Sequence, residues 1–176
     1  MHKMKRRSFV AMSLSFAGFC IFAPAHRISG WFNRLRLSGF ISDNELDIAA
    51  FAARYVYPSG STPGAKELGI REFFKRQLRD DHNLHYYQSI RQICSVLEKS
   101  SRTAFMKPFC RIGKNERQAL LSDLFNGDLP VSRTDLNKFI DFTLEGCFCD
   151  PMHGGNSEYS SWQVMEGFIR KEWFHV

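Results

Sequence analysis

From Ser42 onward, apolar residues return every three or four positions, the period of an amphipathic helix. Leu46, Ala49, Ala50, Ala53 and Val56 share one face, and Pro58 ends the run. Ser42 and Glu45 have the spacing of a capping box, in which each side chain satisfies a free amide of the other's backbone. Ser59-Gly60-Ser61-Thr62 reads as a loop. Thr62-Pro63 then supplies a cap and a first-turn proline for a short helix to Leu68. Past Gly69, a second apolar face follows in Ile70, Phe73, Phe74 and Leu78. After the polar turn Asp80-Asp81-His82-Asn83, the residues Leu84, Tyr87, Ile90, Cys94 and Leu97 mark a third helix. Residues 100–113 are less regular and contain Pro108 and Gly113. A fourth helix covers about 114–126, with Leu120, Leu121, Leu124 and Phe125 inside, and Asn126-Gly127 stops it. Ser132 and Asp135 repeat the capping-box spacing ahead of a fifth, with Leu136, Phe139, Ile140, Thr143 and Leu144 on one side. No segment alternates with the period of two that a half-buried strand needs. The pattern therefore predicts an all-α bundle of about five helices over residues 42–176, closed by an irregular C-terminal loop segment.

Residues 1–25 follow a different rule. Lys3, Lys5, Arg6 and Arg7 precede an apolar stretch from Phe9 to Ala23, shorter than the roughly 20 residues a bilayer span requires. Ala23-Pro24-Ala25 offers a small-x-small cleavage pattern, so the segment reads as a signal peptide. Arg6-Arg7-Ser8-Phe9-Val10 resembles the twin-arginine export signal, a route that carries folded cargo. An ordinary secretory signal and an uncleaved membrane anchor are the other two readings of the same residues. Residues 26–41 read as a linker or arm, apolar enough through Trp31, Phe32, Leu35 and Leu37 to pack on something.

Charge changes little once that leader is set aside. The chain carries +6, and the four leader cations account for most of it, leaving +2. With no dense basic stripe on the body, nucleic-acid binding lacks the attraction it depends on. The 17 phenylalanines among 176 residues instead supply apolar surface for a core or a partner. Of five cysteines, Cys20 leaves with the leader, and Cys94, Cys110, Cys147 and Cys149 stay as candidates for disulfides. Export would permit such bonds, and four cysteines allow three pairings. Cys147 and Cys149 are two apart, so bonding to each other would close a strained small ring, while Cys94 also reads as a buried thiol on an apolar face.

After the fifth helix comes a concentrated turn, Cys147-Phe148-Cys149-Asp150-Pro151-Met152-His153-Gly154-Gly155-Asn156. Asp150-Pro151 starts a turn, Gly154-Gly155 opens backbone conformations closed to other residues, and Asp150 and Asn156 can bond nearby amides. Asp150, Pro151, Gly154, Gly155 and Asn156, followed by Trp162 and then Gly167-Phe168, resemble the small subunit (subunit 3) family of gluconate 2-dehydrogenase-type flavoenzymes. Thr143-Leu144-Glu145-Gly146, Pro63-Gly64-Ala65 and Lys107-Pro108-Phe109 also fit, and the likeness spans roughly residues 42–168. Two departures stand out. Ser161 occupies a position that is usually glycine, and Glu166-Gly167-Phe168-Ile169-Arg170 lacks the family's Pro-Gly ending.

The resemblance implies a partner: a large subunit that carries FAD and oxidises a sugar or sugar acid, with a c-type cytochrome commonly taking the electrons. It also implies that the small subunit bears the twin-arginine signal for both. The expectation is thus a periplasmic, non-catalytic escort and stabiliser, held at the inner membrane through its complex. Arg6, Arg7 and Phe9 would engage the twin-arginine translocation machinery. Asp150, Pro151, Gly154, Gly155, Asn156, Trp162, Gly167 and Phe168 would form the partner-facing element. No catalytic residue, metal ligand or cofactor is expected in this chain. Cys-x-x-Cys-His, Gly-x-Gly-x-x-Gly, Gly-x-Ser-x-Gly and His-Glu-x-x-His are all absent. The competing readings are a stand-alone secreted helical enzyme using a metal at Cys147, Cys149, Asp150 and His153, and a general helical interaction module. His82 and His85 could in principle pair on a metal, though a solvated face suits them better.

Overall fold

The computed structural model describes residues 41–173, with side chains as far as Glu166. The leader, with Arg6, Arg7 and Phe9, and nearly all of the arm lie outside the described residues. Six α-helices and four single 3-10 turns follow one another, and the described residues contain no strand. The helices are α1 (Asp43–Val56), α2 (Ile70–Gln77), α3 (Leu84–Phe105), α4 (Lys114–Asn126), α5 (Arg133–Phe148) and α6 (Ser160–Trp173). The all-α expectation holds, with one more helix than the pattern gave. The irregular C-terminal segment ends at Ser160, where α6 begins.

α1 starts on the capping box that the spacing announced. The Ser42 hydroxyl accepts the Glu45 amide at 3.2 Å, and the Glu45 carboxylate accepts the Ser42 amide at 2.9 Å. Its buried face is small, with Ala49, Ala50, Ala52 and Ala53 all shut off from solvent, so neighbouring helices can approach closely. Three ion pairs tie it down. The Arg71 guanidinium on α2 reaches Asp47 at 2.7 Å and Asp43 at 3.1 Å, and Arg91 on α3 reaches Glu45 at 3.1 Å.

The short helix expected from Pro63 to Leu68 is a turn. The Glu67 carboxylate takes the Gly64 amide at 3.1 Å and the Ser59 hydroxyl, which closes the loop on itself. The Ala65 amide turns back to the Tyr57 carbonyl at 2.9 Å. Gly69 then adopts φ +77°, the left-handed backbone that glycine accepts without strain, and α2 begins one residue later.

α3 runs to Phe105, past the point where its apolar period fades at Leu97. Polar bonds carry the extra turns. Glu98 accepts the Phe109 amide at 2.9 Å and pairs with Arg102 at 2.6 Å, while the Ser101 hydroxyl donates to the Lys107 carbonyl at 2.8 Å. The helix ends at Met106 with φ +54°, a conformation usually left to glycine or asparagine.

The second capping motif is half made. The Ser132 hydroxyl accepts the Asp135 amide at 3.1 Å, but the aspartate is one methylene short of a glutamate and does not return the bond to the Ser132 amide. Its carboxylate accepts the hydroxyls of Ser132 and of buried Ser89, both at 2.6 Å, which pins the start of α5 to α3. α3 and α5 form the main helix pair. At its centre Phe142 packs on Phe73 (ring centroids 4.9 Å), Phe74 (5.7 Å) and Tyr86 (4.4 Å). Phe73, Phe74, Phe139 and Phe142 are fully buried. Each burial of this kind removes on the order of 150–250 Å² from water, a large apolar contribution per residue.

Candidate functional site

The C-terminal loop starts from the close approach of α5 to α2. A Cβ on Gly146 would lie 2.5 Å from the Phe73 ring and 2.6 Å from Ile70, so only glycine lets α5 sit there. The Gly146 carbonyl then accepts the Asn156 amide at 3.1 Å. Gly155 presses against the same peptide, where a Cβ would fall 1.9 Å from the Gly146 oxygen. Gly146 and Gly155 are therefore one contact between two backbones.

Asp150 and Pro151 open a 3-10 turn, in which the Asp150 carboxylate accepts the Met152 amide at 2.9 Å. Gly154 ends the turn at φ +97°, packed against the Arg76 side chain of α2. The Gln77 amide donates to the His153 carbonyl at 3.1 Å, and the Ser157 amide reaches the Leu68 carbonyl at 3.2 Å. The turn is thereby stitched to both ends of α2.

Asn156 is the keystone. It is fully buried, with left-handed backbone at φ +44°. Its side-chain NH₂ donates to the Cys149 carbonyl at 2.9 Å. Its side-chain oxygen accepts both the amide (2.9 Å) and the hydroxyl (2.6 Å) of Ser161. The departure at Ser161 thus has a physical role, since its hydroxyl adds a bond to the asparagine that a glycine could not make. Glu158 and Tyr159 follow at φ +57°, before α6 sets off. The Trp162 indole closes the arrangement by donating to the Phe148 carbonyl at 2.8 Å.

The sequence motif is therefore a loop-building device. Asp150, Gly154, Gly155 and Asn156 direct their chemistry inward, and Pro151 fixes the first turn. Gly167 and Phe168 fall within α6, beyond the last described side chain. What the loop offers outward lies between the motif residues. Met152 is 74% exposed, and Tyr159, Trp162 and Met165 are exposed at 45, 38 and 46%. Tyr159 and Trp162 contact each other with ring centroids 5.1 Å apart. Sequence reasoning missed Met152, Tyr159 and Met165. The spacing of Trp162, Met165 and Ile169 was a legible helical signal, but it follows a run of turn residues and contains Gly167.

The four cysteines of the body are free thiols. Burial pushes Cys147 up to about 12 and raises Cys149 less, and burial also drives Cys94 well above the usual thiol range. Cys149 bonds the Gly146 carbonyl at 3.6 Å. Among the described residues, no three of His, Cys, Asp and Glu gather where they could hold a metal ion, so Cys147, Cys149, Asp150 and His153 do not form a cluster. His82 is held by Asp80 at 2.8 Å, which raises its pKa. No helix of the described residues is long and apolar enough to cross a membrane.

The domain is all-α, and its C-terminal loop engages Asp150 and Asn156 internally while leaving Met152, Tyr159, Trp162 and Met165 exposed. The chain belongs to the family described as gluconate 2-dehydrogenase subunit 3, whose model matches residues 43–167. That makes it a subunit of a dehydrogenase complex of the gluconate 2-dehydrogenase type, with other dehydrogenase subunits as its partners. Neither the curated proteins nor the solved structures give a match.

Proposed function

We propose that the chain is a non-catalytic subunit that escorts a large FAD-bearing dehydrogenase subunit through the twin-arginine route and then stabilises it in the periplasm. The observation that carries this reading is the C-terminal loop. The side chains of Asp150, Asn156 and Trp162 bond to the loop's own backbone, and Met152, Tyr159, Trp162 and Met165 are exposed beside polar neighbours such as His153, Glu158 and Gln163. Exposed aromatic and methionine side chains suit a protein interface, where such residues are enriched. They suit substrate chemistry poorly, because the motif's groups are already engaged. The flavin belongs to the partner in this reading, and a c-type cytochrome completes the path for electrons. Attachment to the inner membrane runs through the complex.

The test has two arms. Replacing Arg6 and Arg7 with lysines should leave both this chain and the large subunit in the cytoplasm on cell fractionation. Arrival of the large subunit in the periplasm would refute the escort role. Separately, the pair Met152→Ser and Met165→Ser should abolish co-purification of the flavoprotein while leaving the melting temperature within about 2 °C, since both side chains are exposed. Undiminished co-purification would remove the loop from the interface.

A further inference from the structure

A second feature lies in the groove between α1 and α4. A recess of about 290 Å³ is lined by Phe51, Arg54, Tyr55, Lys114, Arg117, Gln118 and Leu121. Three of these side chains are cationic and none is acidic. Arg54 and Arg117 both stand over the Phe51 ring, with guanidinium carbons 4.8 and 3.9 Å from its centroid. The two charges are therefore no more than about 9 Å apart, within the ~8–10 Å over which salt screens at physiological strength.

Neither guanidinium has a carboxylate partner among the described residues. Arg117 donates to the carbonyls of Cys110 at 3.2 Å and Ile112 at 2.9 Å, which holds the side chain but leaves its charge uncompensated. The Arg54 Nε is shut off from solvent and finds no acceptor among the described residues. The acids of α1 are engaged elsewhere, Asp43 and Asp47 with Arg71 and Glu45 with Arg91. The forty residues ahead of Ile41 contain no Asp or Glu, and beyond Glu166 the sequence has the single acid Glu172. Lys114 is the first residue of α4, whose N-terminal Gly113 amide is taken by the Glu116 carboxylate at 2.7 Å.

The recess therefore combines unpaired positive charge with apolar walls. Its volume is at the small end for a ligand site, too small for a dinucleotide and large enough for one side chain or a small acid. A bare hydrated anion would use the charge but not the walls of Phe51, Tyr55 and Leu121. Tyr55 is fixed in place by stacking on Phe125 at 5.1 Å. We infer that this recess binds a carboxylate carried on an apolar or aromatic body, with Arg54 and Lys114 meeting the carboxylate and Phe51 and Tyr55 flanking the body. The guanidinium fork suits a carboxylate approached side-on. The inference does not rest on the proposed function.

Calorimetric titration of the full chain tests it, with benzoate as the probe and benzamide and inorganic phosphate as controls. Benzoate should bind saturably, at least about tenfold more tightly than either control, and more weakly as salt rises. Arg54→Gln and Lys114→Gln should each lower benzoate affinity about tenfold or more. Lys114→Gln should melt no lower than the parent, because it relieves like-charge repulsion, and a thermal melt of Arg54→Gln, which also loses its contact with the Phe51 ring, checks that it is folded at the titration temperature. Benzamide or phosphate binding as well as benzoate, or variants that bind it undiminished, would overturn the inference. Two sources of the carboxylate are told apart by a short peptide ending in phenylalanine. Binding about tenfold tighter than benzoate, lost on amidation of its terminus, assigns the recess to a partner's chain end, while binding no tighter assigns it to a free acid.

Discussion

The C-terminal loop and the α1–α4 recess are built on opposite principles. In the loop, Asp150, Asn156, Ser161 and Trp162 satisfy one another or the backbone, and the outward residues Met152 and Met165 are apolar. In the recess the walls are apolar and the charges of Arg54, Lys114 and Arg117 are left without a counter-ion among the described residues. A surface of the first kind gains by covering apolar area, which is non-directional and suits a large partner. One of the second kind gains by receiving a defined charge, which suits a small or localised group. The same helical scaffold thus carries one exposed apolar cluster and one cationic recess.

The contrast is most severely broken at Gly155. Alanine there would put a methyl 1.9 Å from the Gly146 carbonyl oxygen, a backbone atom that cannot move aside. Gly155→Ala should cost about 3 kcal/mol or more by urea denaturation, and a cost under about 1 kcal/mol would mean that the loop does not dock on α5 as described. Asn156→Ala comes next. It removes three hydrogen bonds and strands the half-buried Cys149 carbonyl and the buried Ser161 amide, for about 2–3 kcal/mol. Benzoate binding should be untouched by it, which would confirm that loop and recess are independent.

Trp162→Phe sharpens the comparison with a smaller effect. It keeps an aromatic surface but frees the Phe148 carbonyl, at about 0.5–1 kcal/mol, because water can reach this partly exposed site. A loss of partner affinity larger than that stability change would place the indole in the interface itself.

Acid should act on the caps of α1 and α5. The Asp135 carboxyl is held below its usual range by the Ser132 and then the Ser89 hydroxyl. Burial raises Glu45, but bonds from Ser42 and Arg91 outweigh it and the net direction is down. A depressed carboxylate stabilises the fold above its unfolded pKa near 4 and loses that contribution as pH falls through the folded value. Melting temperature should thus drop below about pH 4, and less steeply in Asp135→Asn. Equal acid sensitivity in the variant would show that the α3–α5 pin does not titrate.

Much of this was legible in the residues. The Ser42–Glu45 box, the faces of α1, α3, α4 and α5, and the stop at Asn126-Gly127 all follow from contacts within one or two turns. The failures are equally local in cause. Residues 63–68 carried a cap and a proline, yet Glu67 bonds Gly64 and Ser59 and keeps them a turn. α3 outran its apolar period because Glu98 and Ser101 bond groups beyond its end. α6 was hidden behind the turn residues that precede it.

The loop motif could be recognised from its spelling, but its purpose could not. Nothing in Gly154-Gly155-Asn156 states that the second glycine meets Gly146 or that the asparagine is buried, because those contacts join segments that only folding brings together. The recess was wholly invisible, since Arg54 and Arg117 lie 63 positions apart and share only the ring of Phe51. Periodicity and capping act over a few residues, and the sequence by itself therefore determined the class of fold and where most helices begin. Which charges are left unpaired, and which apolar side chains are left outside, depends on every neighbour at once, and only the tertiary structure decided it.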